Sequence, residues 1–138
     1  MSRTIEIEHN GETLYGVVMR IKSTSLTVED HGIVTAYLHC EGDGSGIGVG
    51  GYCLDQPVKD ADGKFLRREG TAYGLDHIMQ ILNTAGAGSW EKLPGLNIIV
   101  LHESKSVWGS TAVGFAHISD EKKVLIFKDH AEAWVEKS

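Results

Sequence analysis

The chain is short of the residues that would cross-link it, anchor it or draw it to a polyanion. Of its 138 residues only two are cysteines, Cys40 and Cys53, both in strand-like surroundings and without Cys-x-x-Cys spacing. That leaves a disulfide framework or a zinc site without support, and buried free thiols in a reducing compartment are the expectation. No apolar run approaches the roughly 20 residues that a membrane-spanning helix needs. The opening Met1-Ser2-Arg3-Thr4-Ile5-Glu6 lacks the apolar core of a secretory signal. A soluble protein working inside a cell is expected.

Positive charge is also in deficit. Thirteen Lys and Arg against nineteen Asp and Glu give a formal net charge of -6, which argues against broad binding to a nucleic-acid duplex, because that affinity comes from cations neutralising phosphates. A small anionic ligand needs only a local cluster, and Lys64-Phe65-Leu66-Arg67-Arg68 is the one dense basic stretch. Such a run is ordinarily a solvated face. With 41% hydrophobic and 23% charged residues, the composition is that of one globular domain over residues 1–138, with no internal repeat.

Glycine, by contrast, is concentrated. It occupies every even position from Gly42 to Gly50, and Gly51 as well. In an extended segment the even positions share a face, so this strand would carry no side chains on one side, and something must approach the bare backbone. No Gly-Lys-Ser/Thr follows, and Tyr52-Cys53-Leu54-Asp55-Gln56-Pro57 reads as a strand end and a turn. Neither a P-loop nor a dinucleotide fingerprint fits. A flexible glycine loop between two strands is the alternative.

Strands are expected over Thr4 to Glu8, through Leu14, Val17, Val18 and Ile21 after the Asn10-Gly11 turn, over Ser25 to Glu29, and over Ile33 to Cys40. The glycine strand with Tyr52 to Leu54 continues the set. Pro57 to Gly63 reads as an exposed loop. Leu75, Ile78, Met79 and Leu82 fall at helical spacing opposite Asp76, His77, Gln80 and Asn83, with Thr71 as N-cap and Gly86 with Gly88 ending the helix. Asn97 to His102, Thr111 to Ile118 and Val124 to Phe127 read as strands. Asp129 to Glu136 reads as a short terminal helix with Ala131, Trp134 and Val135 inward. The fold expected is α+β, a mostly antiparallel sheet covered by one main helix, plus a short C-terminal helix.

The arginine pair lies just before the main helix, whose first N–H groups and positive dipole end favour an anion. Arginine adds a planar fork that grips phosphate. Arg67, Arg68, Gly70 and Thr71 are therefore candidates for binding a phosphate-bearing ligand.

Taken in order, Asp30-His31-Gly32-Ile33, Gly46-Ile47-Gly48-Val49-Gly50-Gly51-Tyr52, Arg67-Arg68-Glu69-Gly70-Thr71-Ala72-Tyr73-Gly74, Trp90-Glu91-Lys92-Leu93-Pro94-Gly95 and Gly114-Phe115-Ala116-His117 resemble the first family of phage Thoeris anti-defence proteins, over about Ile21 to Ile118. That resemblance implies a sponge made in the cytoplasm of an infected bacterium, one that binds the immune signal, a glycocyclic ADP-ribose, without cleaving it. It also implies a homodimer with ligand sites at the subunit interface, and some members assemble into hexamers that hold cyclic oligonucleotides. Such a ligand carries a pyrophosphate and an aromatic base. Tyr73, Tyr52 or Trp108 could stack on the base, Gly50 and Gly51 would let ligand or partner chain reach the backbone, and Asn97 could read a base edge. No cofactor or metal is expected.

Two enzymatic readings compete. His102-Glu103-Ser104 and His117-Ile118-Ser119 resemble the paired words of two-histidine phosphoesterases, although only 15 residues separate them here. A metal-dependent phosphodiesterase would draw on His31, His39, Glu41, Asp43 or Asp30, but no further pair at ligand spacing completes a site. No nucleophile and base oriented by a third group are evident, so no catalytic residue is assigned. A third reading, a protein-binding inhibitor of a host defence enzyme, would show as an exposed apolar patch.

Overall fold

The structure is a computed structural model that describes residues 4–30, 32–42, 44–107 and 110–137, without the side chains of Glu29, Asp30, Glu136 and Lys137. His31, Asp43 and Trp108 lie outside the described residues. Strands β1 (Thr4–His9) and β2 (Glu12–Asp30) form a hairpin across Asn10 and Gly11. Both turn residues have positive φ, 51° and 80°, the pair of left-handed conformations that a two-residue hairpin turn demands. Then come β3 (Ile33–Gly42), β4 (Ser45–Gly50), β5 (Asp55–Lys59), β6 (Phe65–Gly70), helix α1 (Ala72–Ala85), β7 (Asn97–His102), β8 (Gly114–His117), β9 (Val124–Ile126) and helix α2 (Phe127–Lys137).

The main sheet has the order β4-β3-β2-β7-β8-β9, every pairing antiparallel, and β1 pairs with β2 end to end with β3. The second sheet is the β5–β6 hairpin alone. This is the α+β architecture that the periodicities imply. Strand β7 is the central plank: five of its six residues are buried, because Ile98 and Val100 face one core layer and Ile99 and Leu101 the other. The larger layer, with Met19, Ile21, Leu38, Phe115 and Phe127, is the one that α1 covers through Ile81 and Ala85.

Several boundaries differ from expectation. The two strands expected on either side of Lys22 are one strand, β2, because a bulge between Ile21 and Ser23 absorbs the polar interruption and lets pairing with β3 resume. The expected loop from Pro57 to Gly63 is half strand. Its true turn is Asp60 to Lys64, where the Asp60 carboxylate accepts from the N–H groups of Asp62 and Lys64, both at 2.9 Å. Tyr52 to Leu54 is outside any ladder, although Leu54 N–H donates to the Val34 carbonyl at 2.9 Å. Strand β8 begins only at Gly114. Val135 of α2 is 73% exposed rather than inward.

The main correction concerns α1. Thr71 caps it and Gly86 ends it in the left-handed conformation, as expected, but the buried face is Gly74, His77, Ile81, Thr84 and Ala85. Leu75 and Met79, read as core, are 63% and 55% exposed. The helix is rotated by what pins its first turn. Thr71 Oγ1 donates to the Leu54 carbonyl at 2.7 Å while accepting from Gly74 N–H at 2.9 Å, and Gly74 lies directly against the Leu54 backbone. That contact turns His77, three residues on, into the core.

Candidate functional site

The first turn of α1, the segment Tyr52 to Gln56 and one side of α2 line an open cavity of about 680 Å³. Its floor is Gly70, Thr71 and the helix start, where the N–H groups of Ala72 and Tyr73 have no acceptor within the helix. No acidic residue sits in that first turn, so the positive end of the helix is uncompensated. Its walls are Tyr52, Tyr73 and Trp134. The cavity thus offers donors at one end and flat apolar surfaces at the other.

The arginine pair behaves differently from a phosphate fork. Arg68 is engaged in bidentate fashion by Asp55, with Nε 2.7 Å from one carboxylate oxygen and Nη2 3.0 Å from the other. The Asp55 side chain is only 4% exposed and also accepts from Val34 N–H at 3.1 Å. Arg68 above all, with the Val34 N–H and the Cys53 thiol, holds the Asp55 carboxyl at a pKa of about 2 against the opposing effect of burial. Arg68 therefore ties the two strands of the β5–β6 hairpin together through Asp55, and the Val34 N–H fastens that carboxylate to β3. Arg67 points the other way, 63% exposed, with Nη2 3.7 Å from Glu69.

Among the other sequence candidates, Tyr52, Gly70, Thr71 and Tyr73 converge on the cavity. Asn97 does not; it pairs in register with Arg20, at the side of a second hollow over the glycine face of β4. There Gly46, Gly48 and Gly50 stand opposite Glu41, His39 and Tyr37. The bare backbone is approached by the chain's own Tyr37, which stacks on His39 at 5.9 Å. Gly51 (φ 94°) brings its backbone to within reach of the same ring, and a Cβ there would lie 2.6 Å from Tyr37 Cζ. Glu41 is bonded to Arg20 at 2.6 Å and His39 to Ser25 at 3.0 Å. No group of three or more His, Cys, Asp or Glu among the described residues is placed to hold a metal ion.

The two histidine words do not meet. His117 opposes Ile98 at one end of the β7–β8 ladder, whereas His102 lies beyond the Leu101–Gly114 pair at the other, about 13 Å away at strand spacing. His102 is buried and bonded to Ser110 at 3.0 Å. His117 turns back to the Ser119 N–H at 3.1 Å.

Behind the aromatic wall lies a group that the sequence did not single out. His77, wholly buried, is caged by the rings of Phe127 (5.3 Å), Tyr73 (5.9 Å), His130 (5.9 Å) and Tyr52 (6.1 Å). Both of its nitrogens lack a hydrogen-bond partner, as do Tyr73 Oη and His130 Nδ1. Burial, reinforced by His130, pushes the His77 pKa down to about 4, so the ring is neutral at neutral pH. Next to it, Asp76 Oδ2 lies 2.7 Å from His130 Nε2 and 3.3 Å from Trp134 Nε1. The His130 bond chiefly lowers the Asp76 pKa. An ionised carboxylate only accepts, so His130 Nε2 carries the proton. Partners 54 and 58 residues apart in sequence leave no local signal by which this cluster could be read from the sequence.

The two cysteines separate cleanly. Cys40 is buried, and burial raises its thiol to about 12. Cys53 is exposed and lines the cavity. A disulfide reagent is expected to modify one thiol per native chain, Cys53, and the second only after denaturation, since thiolate fraction and access govern the rate. Fast modification of both in the native protein would contradict the packing. A ligand in the cavity should slow the Cys53 reaction.

The fold and cavity define an α+β protein whose main helix presents its N-terminus to an aromatic-walled pocket. No protein-family model, curated protein or solved structure matches the chain, so the site itself carries the functional argument.

Proposed function

We propose that this protein is a phage anti-defence sponge, binding a cyclic nucleotide immune signal of the glycocyclic ADP-ribose type at the N-terminus of α1 and releasing it chemically unchanged. The observation that carries the reading is the cavity of about 680 Å³ lined both by the first turn of α1 and by Tyr52, Tyr73 and Trp134. Backbone N–H groups at a helix start suit a pyrophosphate, and aromatic faces suit a base. Within the lining, the Asp55 carboxylate is committed to Arg68 and the Cys53 thiol donates toward Asp55 at 3.2 and 3.4 Å. Holding, rather than attack on a phosphate, is what this arrangement favours.

The reading includes a homodimer, with hexamers as a further assembly, in the cytoplasm of the infected host. A largely apolar groove on the other side of α1 suits self-association, and equally the protein-partner reading that the test below separates. It is lined by Val28, Val34, Leu54, Leu75 and Ile78, and Val28, Leu75 and Met79 are each more than half exposed. Exposed apolar surface of this kind marks a contact.

The test is to mix the protein with cyclic ADP-ribose isomers, remove unbound nucleotide, heat-denature and identify what is released. Intact nucleotide in stoichiometric amount is expected. A hydrolysed product with turnover would make the protein an enzyme, and no retention would favour a protein partner. Tyr73→Ala should weaken binding about 10- to 100-fold by calorimetry, the range for one lost stacking contact of about 1–3 kcal/mol. Arg68→Ala should act through the fold, by unclamping Asp55, and not through direct ligand contact.

A further inference from the structure

Asp76 and His77 are neighbours on α1, yet they make opposite demands on α2. Asp76 must be charged to hold His130 and Trp134, whereas His77 must be uncharged to be covered by Phe127 and His130, because its buried nitrogens have no partner to share a proton with. A charged imidazole without partners in an apolar cage is costly, and the way to hydrate it is to remove the element that covers it.

The groups around His77 give a proton no other acceptor. From α1 itself Tyr73 and Asp76 face it, from α2 His130, and from the connecting segment Tyr52. Strands β8 and β9, against which α1 also packs, contribute buried Phe115 and Leu125, neither of which ionises. His117 of β8 sits at the far end of the helix beside Gly86. Among the described residues the carboxylate beside His77 is Asp76, already used by two donors from α2. Among the described residues α2 also meets the sheet through Asp129, half exposed, with His9 of β1 at 3.6 Å.

We propose that α2 is a proton-released wall of the pocket: it stays docked while Asp76 is ionised and His77 neutral, and it leaves α1 when His77 takes up a proton. Because Ala131, Trp134 and Val135 of α2 form one side of the cavity, release dismantles that side. That release also frees a bound ligand rests on the nucleotide reading above; the motion itself does not. The burial that depresses His77 sets the size of the effect. With an ordinary value of 6.5 and about 4 when docked, docking of α2 should weaken by about 80-fold between pH 6.5 and pH 4, towards a limit of about 300-fold below that, tenfold for each unit of the difference.

Hydrogen exchange of the full chain without ligand, read by mass spectrometry and corrected for intrinsic rates, tests this directly. Between pH 6.5 and pH 4 the amides of α2 should lose protection while those of β7 keep it. His77→Phe, or His77→Leu should the larger ring not fit, should keep α2 protected across the same range. Wild-type α2 that stays protected to pH 4 would overturn the proposal. So would α2 and β7 opening together, or loss of α2 protection at the same pH in a His77 variant. Should neither variant fold, the wild-type profile still separates release of α2 alone from retention and from joint opening with β7. A failure of the nucleotide reading would leave the exchange profile untouched.

Discussion

Gly74→Ala is expected to destabilise the protein by about 3 kcal/mol, although alanine is the better helix former by about 1 kcal/mol. A Cβ at Gly74 would collide with the Leu54 carbonyl oxygen, and it would lie 2.9 Å from Leu54 C and 3.0 Å from Leu54 Cβ. The obstacle is backbone, which cannot swing aside as the end of a flexible side chain can. Overpacking a rigid contact ordinarily costs about 1–3 kcal/mol. Here the retreat of the helix also breaks the bond from Thr71 Oγ1 to Leu54 and disturbs the cap on Gly74 N–H, a cap ordinarily worth about 1 kcal/mol. In a chain of this size the loss should appear as a melting temperature lower by roughly 10 °C. Gly88→Ala, where nothing lies within 4 Å of the added methyl, should stay within about 0.5 kcal/mol of wild type. An unchanged or raised melting temperature for Gly74→Ala would mean that the first turn is not pinned to Leu54.

The same contact shows what could and could not be read from the chain. Turn and cap chemistry is local, so Asn10-Gly11, Thr71 and Gly86 were legible and stand where expected. The run Asn97 to His102 also emerged with its bounds intact, because a strand buried on both faces reads as a continuous apolar segment. The orientation of α1 was not legible. A hydrophobicity count gives Gly74 no weight and places His77 with the polar residues, whereas the helix turns on how closely Gly74 lets two backbones approach. Arg68 shows the same limit in a functional setting. The sequence places it before a helix start, but whether its fork is open to a ligand depends on Asp55, thirteen residues earlier, across the β5–β6 turn. The glycine period was visible in the sequence, but not that Tyr37 of the neighbouring strand would lie over it.

Acidification should cost the protein up to about 3 kcal/mol between pH 6.5 and pH 4 through His77 alone, and replacing this residue should remove that part of the loss. In the unfolded chain the imidazole takes up its proton near the ordinary value of 6.5, whereas in the folded protein burial delays uptake to about 4. Between those values the unfolded state binds more protons, so stability is full above pH 6.5, falls as pH drops and levels off below about 4. At 1.36 kcal/mol for each unit, that window amounts to about 3 kcal/mol. His102, also lowered by burial, acts in the same direction. The informative quantity is therefore the difference between wild type and His77→Phe, measured by urea denaturation at pH 7 and pH 4.5. At pH 7 the variant should be more stable by about 1–2 kcal/mol, because it deletes two buried nitrogens without partners, and the gap should widen on acidification. Parallel stability profiles for the two proteins would show that His77 is hydrated in the native state. The widening also has a ceiling. Once α2 is released, water reaches the ring, the imidazole titrates near its ordinary value, and further acid cannot draw on this group. Below that point the Asp76 and Asp55 carboxylates, both held under their ordinary value by His130 and Arg68, take over as the source of acid sensitivity.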